Sequence, residues 1–172
     1  MLAFFDDGRM EVYCAEDKIT GKELIEKGAF MSFSFGPILV EDYTALCECA
    51  FTSLYGRNPR SAMGYVEPGH YVMIACDGRN YSVSRGLNMI QLAELFEDEG
   101  CKLAYNLDGG QTTAVLFMGE YITQRPPRKE GSIQHLYRDI AELFYVGTSE
   151  LSPADLEVYT CDYDYFQEKF IN

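Results

Sequence analysis

This sequence predicts an α+β domain, a mixed and largely antiparallel β-sheet with two helices packed on it. Three observations carry that reading. Apolar runs are short and stand between turn-forming pairs such as Asp-Gly, Gly-Pro and Pro-Gly, the mark of many short strands. Two segments combine helical spacing with capping residues at both ends. The chain is also rich in rings, with 13 Tyr and 11 Phe but no Trp, and rings pack well on pleated surfaces.

The elements follow in order. Leu2 to Phe5 and Met10 to Cys14 read as a hairpin, because Asp6-Asp7-Gly8-Arg9 holds the Asp-Gly turn signal between them. Thr20 to Gly28 reads as a short helix: Thr20 caps it, Glu23 sits at the capping-box position and Gly28 ends it. Ala29 to Phe35 alternates as a strand, Gly36-Pro37 breaks it, and Ile38-Leu39-Val40 resumes. Ser61 to Val66 is expected as a strand after the basic turn Arg57-Asn58-Pro59-Arg60, and Glu67-Pro68-Gly69-His70 turns it back. Tyr71 to Cys76 is short and apolar and reads as a buried strand. Asn88 to Glu99 is the clearest helix, with Met89, Leu92, Ala93 and Phe96 on one face, Asn88 as its cap and Gly100 as its stop. Cys101 to Leu107, Thr112 to Phe117 and Ala141 to Val146 are expected as further strands, with a polar loop from Thr123 to Ser132.

Length and charge narrow the function. A chain of 172 residues that is 47% hydrophobic suits one domain with a real core. A net charge of −13 repels phosphate backbones and argues against a nucleic-acid binder. Any site for an anion must therefore be a local basic patch. Acid gathers late in Asp155, Glu157, Asp162, Asp164 and Glu168, so residues 148–172 read as an acidic extension. The six cysteines, Cys14, Cys47, Cys49, Cys76, Cys101 and Cys161, form no paired metal spacing. Cys47 and Cys49 would share a strand face and read as ordinary buried thiols. His70 and His135 fall in turn or polar contexts that suggest neither a metal nor a triad. No metal or cofactor is expected. The N-terminal run carries neither signal-peptide nor membrane-span character.

Three segments share one layout, an apolar strand that ends in a polar turn holding Arg, Asp or both. They are Asn58-Pro59-Arg60-Ser61-Ala62-Met63-Gly64, Cys76-Asp77-Gly78-Arg79 and Asn106-Leu107-Asp108-Gly109-Gly110. Strand ends on one side of a sheet can converge and hold side chains rigidly. An Asp-Gly pair such as Asp77-Gly78 fits an ordinary turn. Asp108 followed by two glycines exceeds what a turn needs: the glycines admit positive φ, leave room for a ligand and offer two N–H groups to an anion.

With these residues in view, the chain resembles the phosphodiester glycosidase family. Asn58 to Gly64 is similar to its Asn-Pro-Arg-Thr-Ala-Ile-Gly run, and Cys76-Asp77-Gly78-Arg79 to its Val-Asp-Gly-Arg element. Ser84-Arg85-Gly86-Leu87 running to Leu92-Ala93 resembles the stretch that follows. Asn106-Leu107-Asp108-Gly109-Gly110-Gln111-Thr112-Thr113 resembles its Asn-Leu-Asp-Gly-Gly-Gly-Ser element, with Gln111 in place of the third Gly. Phe35 to Val40 and Arg138-Asp139-Ile140 resemble flanking elements. The likeness covers residues 1–147 as the domain. It lacks the Asn-Gly-Gly-aromatic-Phe type strand with which the family domain normally begins, so a domain shortened at its N-terminus is expected.

The resemblance implies a hydrolase that releases a sugar from a sugar-1-phosphodiester, with an N-acetylglucosamine-1-phosphodiester-like substrate and no cofactor. It implies Asp108 as the key carboxylate with Asp77 in support, Arg60 and Arg79 clamping phosphate, and Ser84, Asn106, Gly109, Gly110 and Thr112 shaping the pocket. Family members mostly work outside the cytoplasm. Two other readings fit the same residues: a non-catalytic carbohydrate or cell-envelope binding module of the same fold, and an interaction domain whose acidic end meets a basic partner. The sugar, the acceptor, the anomeric outcome, the cellular location and the oligomeric state are left open.

Overall fold

The computed structural model describes residues 1–46, 54, 56–80, 82–124 and 143–147. Two antiparallel sheets lie face to face. The smaller has the order β2-β1-β3, built from β1 (Leu2–Phe5), β2 (Met10–Val12) and β3 (Ala29–Phe33). The larger has the order β5-β4-β8-β6-β7, from β4 (Ile38–Glu41), β5 (Thr44–Ala45), β6 (Arg60–Glu67), β7 (His70–Cys76) and β8 (Leu103–Asn106). A hairpin of β9 (Leu116–Phe117) and β10 (Glu120–Tyr121) stands apart from both. The Met118 and Gly119 pair that turns it has positive φ at both residues, as a two-residue hairpin turn of matching twist requires. Every strand pairing among the described residues is antiparallel.

Helix α1 (Gly21–Glu26) starts where Thr20 accepts the Glu23 N–H while the Glu23 carboxylate accepts the Thr20 N–H. Helix α2 (Met89–Asp98) repeats the device with Asn88 and Gln91. Reciprocal capping satisfies donors that a helix start otherwise leaves open. Gly28 and Gly100 follow the two helix ends with positive φ.

The strand period of two splits β1 between two interfaces. Leu2 and Phe4 face the larger sheet and pack with Met10, Met63, Tyr65 and Tyr105. Ala3 and Phe5 face the other way, onto Leu24 of α1. On the far side of the larger sheet, Met89, Leu92, Ala93 and Phe96 of α2 cover Leu39, Val40, Ala62 and Ala104. The result is four layers: α2, the five-stranded sheet, the three-stranded sheet and α1.

Gly64 sets the closeness of α2. A Cβ there would lie 2.5 Å from the Phe96 ring and 2.6 Å from Cys101 Sγ. Gly64→Ala is therefore expected to lower stability by about 1–3 kcal/mol, the usual penalty of overpacking, in urea unfolding followed by circular dichroism. An unchanged unfolding midpoint would show that the helix moves off without loss.

Three sequence expectations are corrected. Among the described residues Tyr71 to Cys76 lies at a sheet edge and is not buried; β7 pairs there only with β6, and Met73 is 55% exposed. An apolar run of that length does not distinguish a central strand from an edge strand. Thr112 to Phe117 is not one strand. The Thr112 N–H and hydroxyl both bond the Gly109 carbonyl, which curls Gly110–Thr112 into a 3-10 turn and leaves only β9 extended in a ladder. Leu143 to Val146 joins no sheet: Phe144 stacks on Phe33, 4.3 Å between ring centres, while Leu143, Tyr145 and Val146 are exposed. Cys47, Cys49, His135, Arg138-Asp139-Ile140, most of the expected Thr123 to Ser132 loop and the 148–172 extension lie outside the described residues.

Candidate active site

The three motif turns meet on one peptide, Asn58-Pro59. The first brings it there, just before β6 enters the sheet. From the second, a Cβ on Gly78 would lie 2.6 Å from the Pro59 nitrogen. One on Gly86 would lie 2.3 Å from the Asn58 carbonyl oxygen. From the third, one on Gly109 would lie 2.9 Å from the Pro59 carbonyl oxygen. Three glycines thus stand where no side chain fits. Hydrogen bonds tie the same junction: Asn58 and Leu87 exchange both backbone bonds, and the Gly110 N–H donates to the Pro59 carbonyl at 2.9 Å.

Arg60 heads β6 and is 4% exposed. Its Nε donates to the Leu87 carbonyl at 3.0 Å, and Nη2 donates to the carbonyls of Leu54 and Gly56. Burial first, and then the nearby charge of Arg79, lower its pKa from the ordinary arginine value. Arg79 is exposed and holds a φ of 58°, a left-handed backbone that a non-glycine residue rarely adopts. Its Nε and Nη2 both donate to Asn58 Oδ1, at 3.0 and 2.8 Å. A Cβ on Gly110 would lie 3.2 Å from Arg79 Nη2, so the guanidinium rests on the turn that follows Asp108. Among the described residues neither arginine has a carboxylate partner; Asp7–Arg9, Arg9–Glu11 and Lys22–Glu26 are the ion pairs there. In a chain of net charge −13, two guanidiniums without carboxylate partners among the described residues concentrate positive charge at this junction.

Asp108 is half-buried after β8, and its Oδ1 accepts the Gly109 N–H at 2.9 Å. Gly110 carries positive φ and Gly109 does not. Thr112 is buried, its hydroxyl donating to the Gly109 carbonyl at 2.9 Å, and so closes the turn. Asp77 and Ser84 are tied to the main chain. Asp77 Oδ1 accepts the Gln124 N–H at 2.8 Å, and the Ser84 hydroxyl donates to the Asp77 carbonyl at 2.6 Å while accepting the Gly86 N–H. Asn106, two residues before Asp108, is buried and bonds elsewhere: Nδ2 donates to the Gly36 carbonyl at 2.7 Å, and Oδ1 has no hydrogen-bond partner among the described residues. A buried acceptor left open costs about 1–3 kcal/mol.

The structure therefore joins Arg60, Arg79, Gly109 and Gly110 around one peptide. It holds Asp77 and Ser84 in the flanking loop and turns Asn106 toward the β3–β4 link. A cleft of about 630 Å³ opens beside that link, lined by Tyr13, Phe35, Gly36 and Tyr105 among others, and none of the expected site residues lines it. No group of three His, Cys, Asp or Glu among the described residues is arranged for a metal ion. Sequence reading quoted Asn58, Gly78 and Gly86 within motifs without giving them a role. The available signal was the glycines themselves, each next to a residue of chemical interest. Cys76 also sits here; its thiol donates to the Asp77 carbonyl, and burial raises its pKa, so it stays a neutral thiol.

The family model described as phosphodiester glycosidase matches residues 1–146. The SPbeta prophage-derived uncharacterized protein YomE of Bacillus subtilis (strain 168) is 38% identical over 121 residues, which cover 69% of this chain and 18% of that protein. Among solved structures, the zebrafish N-acetylglucosamine-1-phosphodiester alpha-N-acetylglucosaminidase catalytic domain, auto-inhibited by its pro-peptide, superposes with a TM-score of 0.57. The match has 21% identity and covers 71% of this chain and 43% of that one, a likeness of fold. The chain thus spans under half the length of these proteins, and under a fifth of the curated relative.

Proposed function

Since the chain belongs to the phosphodiester glycosidase family, we propose that its site hydrolyses the glycosidic bond of a sugar-1-phosphodiester, an N-acetylglucosamine-1-phosphodiester-like compound, to free sugar and a phosphomonoester. One observation carries this reading: two guanidiniums without carboxylate partners among the described residues stand with the glycine turn that follows Asp108, all held on Asn58-Pro59. Positive charge and a carboxylate are the two things this reaction needs. As the bond from C1 to the phosphate oxygen breaks, its electron pair leaves on phosphate, where Arg79 meets it. Arg60, engaged with three carbonyls, adds its charge from beneath and fixes the turn. The positive charge that develops at C1 is offset by Asp108. Water then supplies the new oxygen at C1, and its proton goes to a carboxylate or to the departing phosphate. Phosphate is a good leaving group, so little general-acid help is required. Asp77 shapes the loop through Gln124 and Ser84, and Thr112 holds the Gly109 carbonyl.

The test is direct. The protein is incubated with an N-acetylglucosamine-1-phosphodiester, and free reducing sugar and phosphomonoester are measured in equal amounts. Equal release supports the hydrolase. Sugar phosphate bound in calorimetry with no release, by this chain and by a longer one extended upstream, favours the binding module. Gln111, which stands where the family pattern has a third glycine, is the observation that keeps this second reading.

A further inference from the structure

Asn58 is the residue that the site's arrangement makes most use of and to which the family reading gave no part. We propose that Asn58 is a positioning residue, one that aims Arg79 at an anionic ligand without neutralising it; the inference rests on reading the Asp108 turn as a phosphate-bearing site.

Four features argue for it. The Asn58 side chain is oriented by its own bonds: Nδ2 donates to the Gly56 carbonyl at 3.2 Å, which directs Oδ1 the other way. That oxygen takes both Arg79 Nε and Nη2, so a single acceptor chelates one edge of the guanidinium. The backbone beneath is fixed by the paired bonds with Leu87, an antiparallel bridge that holds Asn58 just ahead of β6. Arg79 reaches this position from a left-handed backbone, a strained conformation that the surrounding contacts must hold.

The choice of an amide is the informative part. A carboxylate at Asn58 would hold the guanidinium at least as firmly, but it would cancel the charge and repel an arriving phosphate. An amide oxygen orients the fork and leaves the charge whole for the ligand. Position and charge are thereby separable, and one substitution separates them: Asn58→Asp keeps the acceptor oxygen and adds the negative charge.

The experiment compares wild type, Asn58→Asp, Asn58→Ala, Arg79→Ala and the Asn58→Ala, Arg79→Ala double variant by calorimetric titration with N-acetylglucosamine 1-phosphate, with the thermal melt of each protein. Asn58→Asp gives up the Nδ2 bond to the Gly56 carbonyl but is expected to stay folded in the melt and to bind the phosphate at least about tenfold more weakly, with a flatter dependence on salt, because one unit of charge is lost at the site. A residue with only a structural role would leave the affinity of the folded Asn58→Asp protein and its salt dependence untouched. Asn58→Asp that binds like wild type therefore overturns the inference alone. Where Asn58→Asp does not fold, Asn58→Ala decides: weaker binding that disappears as an effect in the Arg79→Ala background supports the positioning role, and unchanged binding overturns it. Wild type that binds no phosphate while folded overturns the site reading and the inference with it.

Discussion

Asp108→Asn is expected to lower sugar release roughly a thousandfold or more, about 4 kcal/mol of transition-state stabilisation, with no change in the thermal melt. The amide is the same size as the carboxylate, and its oxygen can still accept the Gly109 N–H that Asp108 Oδ1 accepts now. The turn and the two glycines should therefore persist. What disappears is the negative charge. If that charge offsets the positive centre at C1, its loss falls on the rate and not on ground-state binding, so kcat should drop far more than KM rises. Release at the wild-type rate would show that another group supplies the carboxylate. A lowered melt alongside the lost activity would show that Asp108 holds the turn instead.

Gly86→Ala should be the most damaging small substitution for the site. Gly86 has a φ of 87°, and an added Cβ would fall 2.3 Å from the Asn58 carbonyl oxygen and 2.4 Å from its carbon. Both obstacles are backbone, which cannot rotate aside as a side chain can. The left-handed conformation alone costs an alanine about 1–2 kcal/mol, and the steric conflict adds about 1–3 kcal/mol. The chain can relieve it only by pushing Asn58-Pro59 away, which breaks the exchange with Leu87 and moves Arg79 and Gly110 with it. Stability should fall by roughly 3 kcal/mol in urea unfolding, and N-acetylglucosamine 1-phosphate binding should be lost even where the protein remains folded. Retained affinity in a folded Gly86→Ala protein would show that the Asn58 junction is not what holds the site.

Local chemistry made much of the fold legible. Thr20 with Glu23, Asn88 with Gln91, and the glycines after each helix are short-range signals, and both helices lie where those residues put them. The α+β class with antiparallel pairing followed from the same kind of pattern. The misreadings came where the outcome depends on distant partners. Whether Tyr71 to Cys76 is central or at an edge depends on what lies beyond it, which its own residues do not encode. Thr112 could have continued a strand, but its hydroxyl and N–H found the Gly109 carbonyl first. The site shows the same division. The motif turns were readable as chemistry, yet their meeting on Asn58-Pro59 is a three-body contact among residues up to some fifty positions apart. Arg60 illustrates it. An arginine beside a Gly-rich turn reads as a ligand for phosphate, and only the fold shows three carbonyls around its guanidinium.

The order of strands in the larger sheet bears on how the protein acquires its shape. β8 lies between β4 and β6, although it comes after both in the chain. Ile38 and Val40 must wait for Tyr105 and Ala104, and Ala62 must wait for Asn106. A nascent chain that has emerged only through β7 therefore has the β6–β7 hairpin in place but two inner strand edges with nothing between them. Long-range closure of this kind is slow, because the entropy of a large loop must be overcome before any ladder bond forms. The central seam, and with it the Asp108 turn at its end, is the last part of the sheet to be set, so the Asp108 carboxylate arrives only when the scaffold on either side of it is already committed.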